Sequence, residues 1–285
     1  MRMASDCYSC ILDRAQFGAD LVLQEEEDKL GVVEELLDFM SCHKREVPAL
    51  VGTEREKIIQ RRSKNPDPYK ALKNDSNRLA RELLPVAEQF YNMSANKLQA
   101  LIRIAAVANS MEFGVKGHNF DNSTFGSTFA SILQERLEGD LAEVERRLKS
   151  FENIFYLTDN SGEIIFDLFV IDKLKKMNKR VIIGSKSEPI LNDITTDEVR
   201  RMTDDEVVTT GPIVGTSLDN IAPEAMELLF DPNWLVISKG MGNFETMSEF
   251  DARLKGRLIY VFRAKCQPVA EATRVTRGTL VVNSI

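Results

Sequence analysis

Four polar clusters in the second half of the chain combine residue types that bind hard cations and anions. They are Asp159-Asn160-Ser161-Gly162-Glu163, Asn192-Asp193-Ile194-Thr195, Lys239-Gly240-Met241-Gly242-Asn243-Phe244-Glu245 and Ala264-Lys265-Cys266. An Asp-Asn pair with a further Asp from a neighbouring loop offers hard oxygen ligands, which suit Mg, Mn or a related divalent ion. Such an incomplete oxygen set leaves coordination positions for water and a phosphate oxygen. Lys239 and Lys265 would neutralise phosphate charge, and the glycines would let backbone N–H groups approach it.

Each cluster also has a plainer reading. Asp159-Asn160 reads equally as the cap and turn of a following helix, and Asp193, taken alone, as the cap of a short one. Gly240 and Gly242 would serve a turn, and single lysines usually lie on the surface. The functional reading rests on the clusters' common placement after successive strands, where open parallel sheets bind ligands.

In the first half, Asn109 and Glu112 extend the apolar face of Leu98, Leu101, Ile102 and Ala105. Polar groups on a buried face need partners, either in a helix-to-loop network or by lining a cleft. Cys7-x-x-Cys10 falls in an amphipathic helix with Ile11, Phe17 and Leu21, where small apolar packing is the favoured role over redox or metal chemistry. Other motif classes are missing: there is no Walker A loop, and Gly240-Met241-Gly242 lacks the third glycine of a dinucleotide fingerprint. His43 and His118 stand apart from any nucleophile motif.

The elements that must position these residues differ between the two halves. From Asp6 to about Lys149 the apolar spacing is helical: Leu30, Val33, Leu37 and Met40 outline one helix, Tyr69, Leu72, Leu79, Leu83, Ala87 and Phe90 another. Asp67 and Pro68 fit the N-cap and first position of the latter. A polar, glycine-rich segment, 114–127, interrupts the pattern. From Asn153 onward, β-rich runs begin at Ile154, Arg180, Val207, Trp234, Leu258 and Leu280, alternating with helical stretches such as Glu163 to Met177. The expected fold is α/β: a helical region over 1–149, then a Rossmann-like parallel sheet over 150–285.

Composition narrows the partners. A net charge of -7 argues against nonspecific binding to nucleic acid. No apolar stretch is long enough to span a membrane and no signal-type segment opens the chain, so a cytoplasmic location is expected. Four cysteines in such a chain do not indicate a disulfide framework.

Taken together, the clusters resemble the damage-control phosphatase family, long catalogued as a domain of unknown function. Cys7-x-x-Cys10, Asp67-Pro68-Tyr69 and Asn109-Ser110-Met111-Glu112-Phe113-Gly114 are similar to its prokaryotic and archaeal branch. The resemblance implies metal-dependent hydrolysis of phosphomonoesters of small metabolites such as sugar phosphates. It implies Asp159, Asn160 and Asp193 as metal ligands, Lys265 as the phosphate-binding cation, and Lys239, Gly240 and Asn243 in the pocket. Glu163 matches the end of the first motif. Ser161 stands where the family usually has Ala, and Glu112 where Asp is more usual. The competing expectations are an S-adenosylmethionine-dependent carboxyl methyltransferase on the same sheet, or a non-catalytic metabolite-binding protein.

Overall fold

The computed structural model describes residues 1–111 and 128–285; Glu112, His118 and the segment 114–127 lie outside the described residues. Helices α1 (Ser5–Val22), α2 (Glu26–Cys42), α3 (Pro48–Ser63), α4 (Lys70–Met93) and α5 (Lys97–Ala108) come first. Then follow β1 (Leu137–Glu138), α6 (Leu141–Ser150), β2 (Asn153–Leu157), α7 (Glu163–Lys176), β3 (Arg180–Ser185), α8 (Thr196–Arg200) and β4 (Val207–Thr209). The chain continues through α9 (Pro223–Phe230), β5 (Trp234–Lys239), α10 (Met241–Met247), a 3-10 turn, β6 (Leu258–Arg263), α11 (Gln267–Thr273) and β7 (Leu280–Ser284).

The strands form one sheet in the order β1-β7-β6-β5-β2-β3-β4. Every neighbouring pair is parallel except β6 and β7, so the mostly parallel α/β class expected from the alternating runs is the one observed. Side chains alternate across the sheet as a period of two requires. Ile154, Tyr156, Leu235, Ile237, Ile259 and Val261 join one core, while Phe155, Leu157, Val236, Tyr260 and Phe262 join the other. Each such side chain stabilises by roughly 1.5–3 kcal/mol when fully buried, which is why the continuous apolar runs occupy the middle of the sheet. Helices α4 to α8 cover the first face, α9 to α11 the second.

Helices α1, α2 and α3 bury a third core through Cys7, Ile11, Val32, Leu36 and Ile58. A fourth small core of Val47, Ala49, Tyr69, Ile190, Leu191 and Val214 joins that unit to the loops after β3 and β4. Two local expectations are corrected. The inner face of α2 is Val32, Leu36 and Met40, whereas Leu30 and Leu37 are exposed, because the helix turns its face by about one residue to meet α1 and α3. Helix α4 starts at Lys70 with Tyr69 as N-cap, not at Pro68, and the Asp67 carboxylate instead pairs with Lys73 Nζ at 3.3 Å. Among the described residues no helix is long and apolar enough to cross a membrane.

Candidate active site

The carboxyl ends of β2, β3 and β5 meet at a cavity of about 530 Å³. β2 lies between β3 and β5, so the strand order reverses there, the place where open α/β sheets hold ligands. The loops after β2 and β3 are laced together at this point. Asn160 and Asp193 form an antiparallel bridge, Ser161 N–H donates to Asn192 O at 2.9 Å, and Ile194 N–H donates to Asp159 O at 3.0 Å. Asp159, Asn160 and Asp193 consequently line the cavity together. None of them caps a helix. Gly162 is the N-cap of α7 without a side-chain bond, and Thr195 caps α8 in a reciprocal box with Glu198.

A buried polar layer orients these residues. Asp159 Oδ2 accepts from Asn109 Nδ2 at 2.8 Å and Asn160 Nδ2 at 2.9 Å. Each of those amide groups also donates to Glu163 Oε1, at 2.8 Å in both cases. With its two amide hydrogens engaged this way, Asn160 turns its carbonyl oxygen to the opposite side. Glu163 Oε2 accepts from Lys239 Nζ at 3.1 Å, and Lys239 also donates to Asp167 Oδ1 at 2.8 Å. Tyr156 OH donates to that same oxygen at 2.6 Å.

Glu163, Asp167 and Lys239 are wholly buried. Burial works against the Lys239 charge, but Asp167 and Glu163 outweigh it and hold its pKa above the ordinary lysine value. Burial raises the Asp167 carboxyl against the opposing charge of Lys239. At the end of β5, Gly240 has φ +82°, and a Cβ there would fall inside the Asp159 carboxylate. Only glycine permits that approach.

Not every expected residue reaches the cavity. Lys239 is sealed in its ion pairs, and Asn109 and Glu163 contact Asp159 and Asn160 from behind. Asn243 donates to Thr158 O at 3.1 Å and Lys239 O at 2.8 Å, while its Oδ1 accepts from Thr216 Oγ1 at 2.8 Å. It thereby ties the ends of β2 and β5 to the loop after β4. Lys265 is buried, with its N–H on Met241 Sδ and its carbonyl oxygen on Arg277 Nε. Met241, Cys266 and Arg277 line the cavity beside it.

Other residues at the site were not in the expected set. Lys186, 2% exposed, donates to Gly215 O at 2.5 Å and stands 3.9 Å from Asp193 Oδ2. Burial lowers its pKa, opposed by the charges of Asp193 and Asp159. Its only sequence signal is a lysine directly at the end of an apolar strand. Helices α1 and α3 supply another part of the wall, including Cys7, Cys10, Arg14, Gly52 and Arg55. Cys7, Cys10 and Arg14 recur at i, i+3 and i+7, a spacing that marks one helix face. Neither Cys7 nor Cys266 is poised as a thiolate. Burial, with Glu245 nearby, pushes Cys266 up to about 12, and burial also raises Cys7.

The donor set suits a hard divalent ion. It comprises two carboxylates and one amide oxygen, and among the described residues no group of three His, Cys, Asp or Glu side chains converges as an alternative. Ser161 Oγ and Asn192 Oδ1, in the two laced loops, are buried with no hydrogen-bond partner among the described residues, so further oxygen atoms flank the three. An all-oxygen set of this kind favours Mg or Mn over a thiolate-bound metal.

A mostly parallel sheet with a cavity at its switch point that gathers Asp159, Asn160 and Asp193, walled by an N-terminal helical unit, defines a Rossmann-like α/β protein. The chain belongs to the damage-control phosphatase ARMT1-like family, whose domain model matches residues 3–281. It is 28% identical to a damage-control phosphatase of Archaeoglobus fulgidus, over all of both chains. A damage-control phosphatase of Pyrococcus horikoshii is also 28% identical, over 99% of this chain and 97% of the relative. An uncharacterized protein of Methanocaldococcus jannaschii is 29% identical over 99% and 95%. The crystal structure of a DUF89 family protein from Pyrococcus horikoshii superposes with a TM-score of 0.85, covering 99% of this chain and 98% of that one at 28% identity.

Proposed function

We propose that this chain is a divalent-metal-dependent phosphatase that hydrolyses phosphomonoesters of small metabolites, sugar phosphates among them, in a cytoplasmic house-cleaning role. The observation that carries this reading is the lacing of two strand-end loops, which sets Asp159, Asn160 and Asp193 side by side in one cavity. Two relatives that match this chain almost end to end are named damage-control phosphatases, in agreement with it.

In this reading Asp159, Asn160 and Asp193 hold Mn, Mg, Co or Ni. Such an ion, when bound, supplies charge to the phosphoryl oxygens and makes water a better nucleophile at neutral pH. Asn109 and Glu163 hold the Asp159 carboxylate and the Asn160 amide in fixed planes, and Lys239 keeps Glu163 balanced by a buried countercharge. Lys265 is the cation assigned to the phosphate, with Lys186 the second cation beside the carboxylates. The cavity, within the size range of small-molecule sites, takes the organic part of the substrate. No nucleic acid or membrane partner is needed.

A screen of phosphomonoesters, repeated with Mg, Mn, Co and Ni, tests the proposal. Phosphate release is expected from the wild type and should fall at least about a hundredfold in Asp193→Asn, on the scale of losing a residue that stabilises the transition state. No release with any metal, alongside tight S-adenosylmethionine binding, would put methyl transfer in its place.

A further inference from the structure

The same cavity carries three guanidinium groups for which a single phosphate at Asp159 and Asp193 gives no use. Arg14 comes from α1, Arg55 from α3 and Arg277 from the turn before β7. In a chain of net charge -7, their convergence runs against the general charge. Apart from Asp159 and Asp193, the acidic residues that line the cavity among the described residues are Asp6 and Glu245. Glu56 balances Arg55, so what the three guanidinium groups bring to the cavity is convergent hydrogen-bond donors and not a net excess of charge. Their depth is graded: Arg55 is 3% exposed, Arg14 is partly buried, and Arg277 lies exposed at the rim.

Arg55 is held in one plane by Glu56, with Nε donating at 2.7 Å and Nη2 lying 2.6 Å from the same oxygen. Gly52, three residues earlier, also lines the cavity, and a Cβ there would sit 3.9 Å from Nη2. A guanidinium is a planar fork matched to the oxygens of carboxylate or phosphate.

We infer that Arg14, Arg55 and Arg277 form a second anion subsite, which takes a carboxylate or phosphate at the end of the substrate remote from the scissile ester. The preferred substrate is then a phosphomonoester bearing a second anionic group, not a neutral sugar monophosphate. The inference rests on the phosphatase reading for which end reacts.

Matched ligands test it: a sugar monophosphate, the bisphosphate of the same sugar, and its phosphorylated acid. With Mn, kcat/KM is expected to favour at least one doubly anionic ligand by about tenfold or more, the scale of one good charge-assisted hydrogen bond. Which arm is favoured identifies the anion. Arg14→Gln should shrink that ratio severalfold, and so should Arg277→Gln, a rim substitution that leaves the cores untouched. Calorimetry with the same ligands and the metal chelated supplies a readout without turnover. If no phosphomonoester is hydrolysed, the phosphatase reading fails while the binding preference still decides the subsite. Equal binding of singly and doubly anionic ligands, including no binding of either, overturns the subsite. So does a preference that neither substitution changes.

Discussion

Asp159 Oδ2 is fixed by two amides, and one of them, Asn109, comes from a helix distant in sequence. Removing Asn109 takes a donor from Asp159 and another from Glu163, leaving both buried acceptors short of a partner. Asn109→Ala is expected to weaken Mn binding by about 10–100-fold, the usual cost of losing a group that orients a metal ligand. Calorimetric titration checks this. Unchanged metal affinity with a raised KM would make Asn109 a substrate contact instead. Lys186 and Lys265 predict different outcomes. Lys186 stands 3.9 Å from Asp193 Oδ2 and repels any cation bound there, so Lys186→Met should tighten metal binding by at least about tenfold, a lower bound given that a unit-charge pair ~4 Å apart interacts by about 4 kcal/mol at the screening of a protein site. Lys265→Ala should leave metal affinity alone and lower kcat/KM, with only partial rescue by arginine. If Lys265→Ala retains full turnover, the phosphate-binding role passes to another cation.

At the scale of elements, α8 and the loop carrying Asp193 are pinned to α4 by an ion-pair cluster. Glu198 accepts from Lys70 at 2.8 Å and lies 3.0 Å from Lys73. Burial alone would raise the Glu198 carboxyl. The Lys70 hydrogen bond, the Lys73 charge and the Thr195 N–H outweigh it and hold the group down at about 2. A folded pKa below the ordinary 4.5 contributes stability that is present above that value and lost as pH falls from it toward about 2. Glu198→Gln should therefore cost about 1–2 kcal/mol at pH 7, the linkage value of roughly 3 kcal/mol discounted for a group still partly open to solvent, and the difference from wild type should close as pH falls through that window. A denaturant series at several pH values measures it, and a pH-independent gap would assign the loss to packing. The elements themselves were largely legible. β2, β3, β5 and β6 are apolar runs because both faces are covered, and such runs stand out. β1 has two residues and no pattern to read. The inner face of α2 was misread because Leu30, Leu37 and Met40 have helical spacing as good as that of Val32, Leu36 and Met40, and only packing against α1 and α3 decides between them. Asp159, Asn160 and Asp193 were legible from their place after strands. Arg14 and Arg55 were not, since an arginine in an amphipathic helix looks like a solvated one until a sheet from the other half is set against it.

For the whole molecule, a ligand that binds only the folded chain raises its stability by mass action. Mn at a hundred times its dissociation constant should add about 2.7 kcal/mol. In a chain of this size that raises Tm by roughly 5–10 °C, and the Asp193→Asn variant should show no such rise in differential scanning fluorimetry. A rise of the same size in that variant would place the ion elsewhere. The cavity also draws on residues as far apart in sequence as Asp6 and Arg277. The wall residues Asp6, Arg14 and Arg55 precede Asp159 and Asp193 in the chain and Arg277 follows them, so the cavity is complete only when both ends of the chain have packed against the sheet. Assembly of the cavity is thereby tied to completion of folding. In a refolding time course helicity should return early, since helical contacts are local, and turnover only with the slowest phase. Turnover that returned together with helicity would show that the site does not wait for the slowest step of assembly.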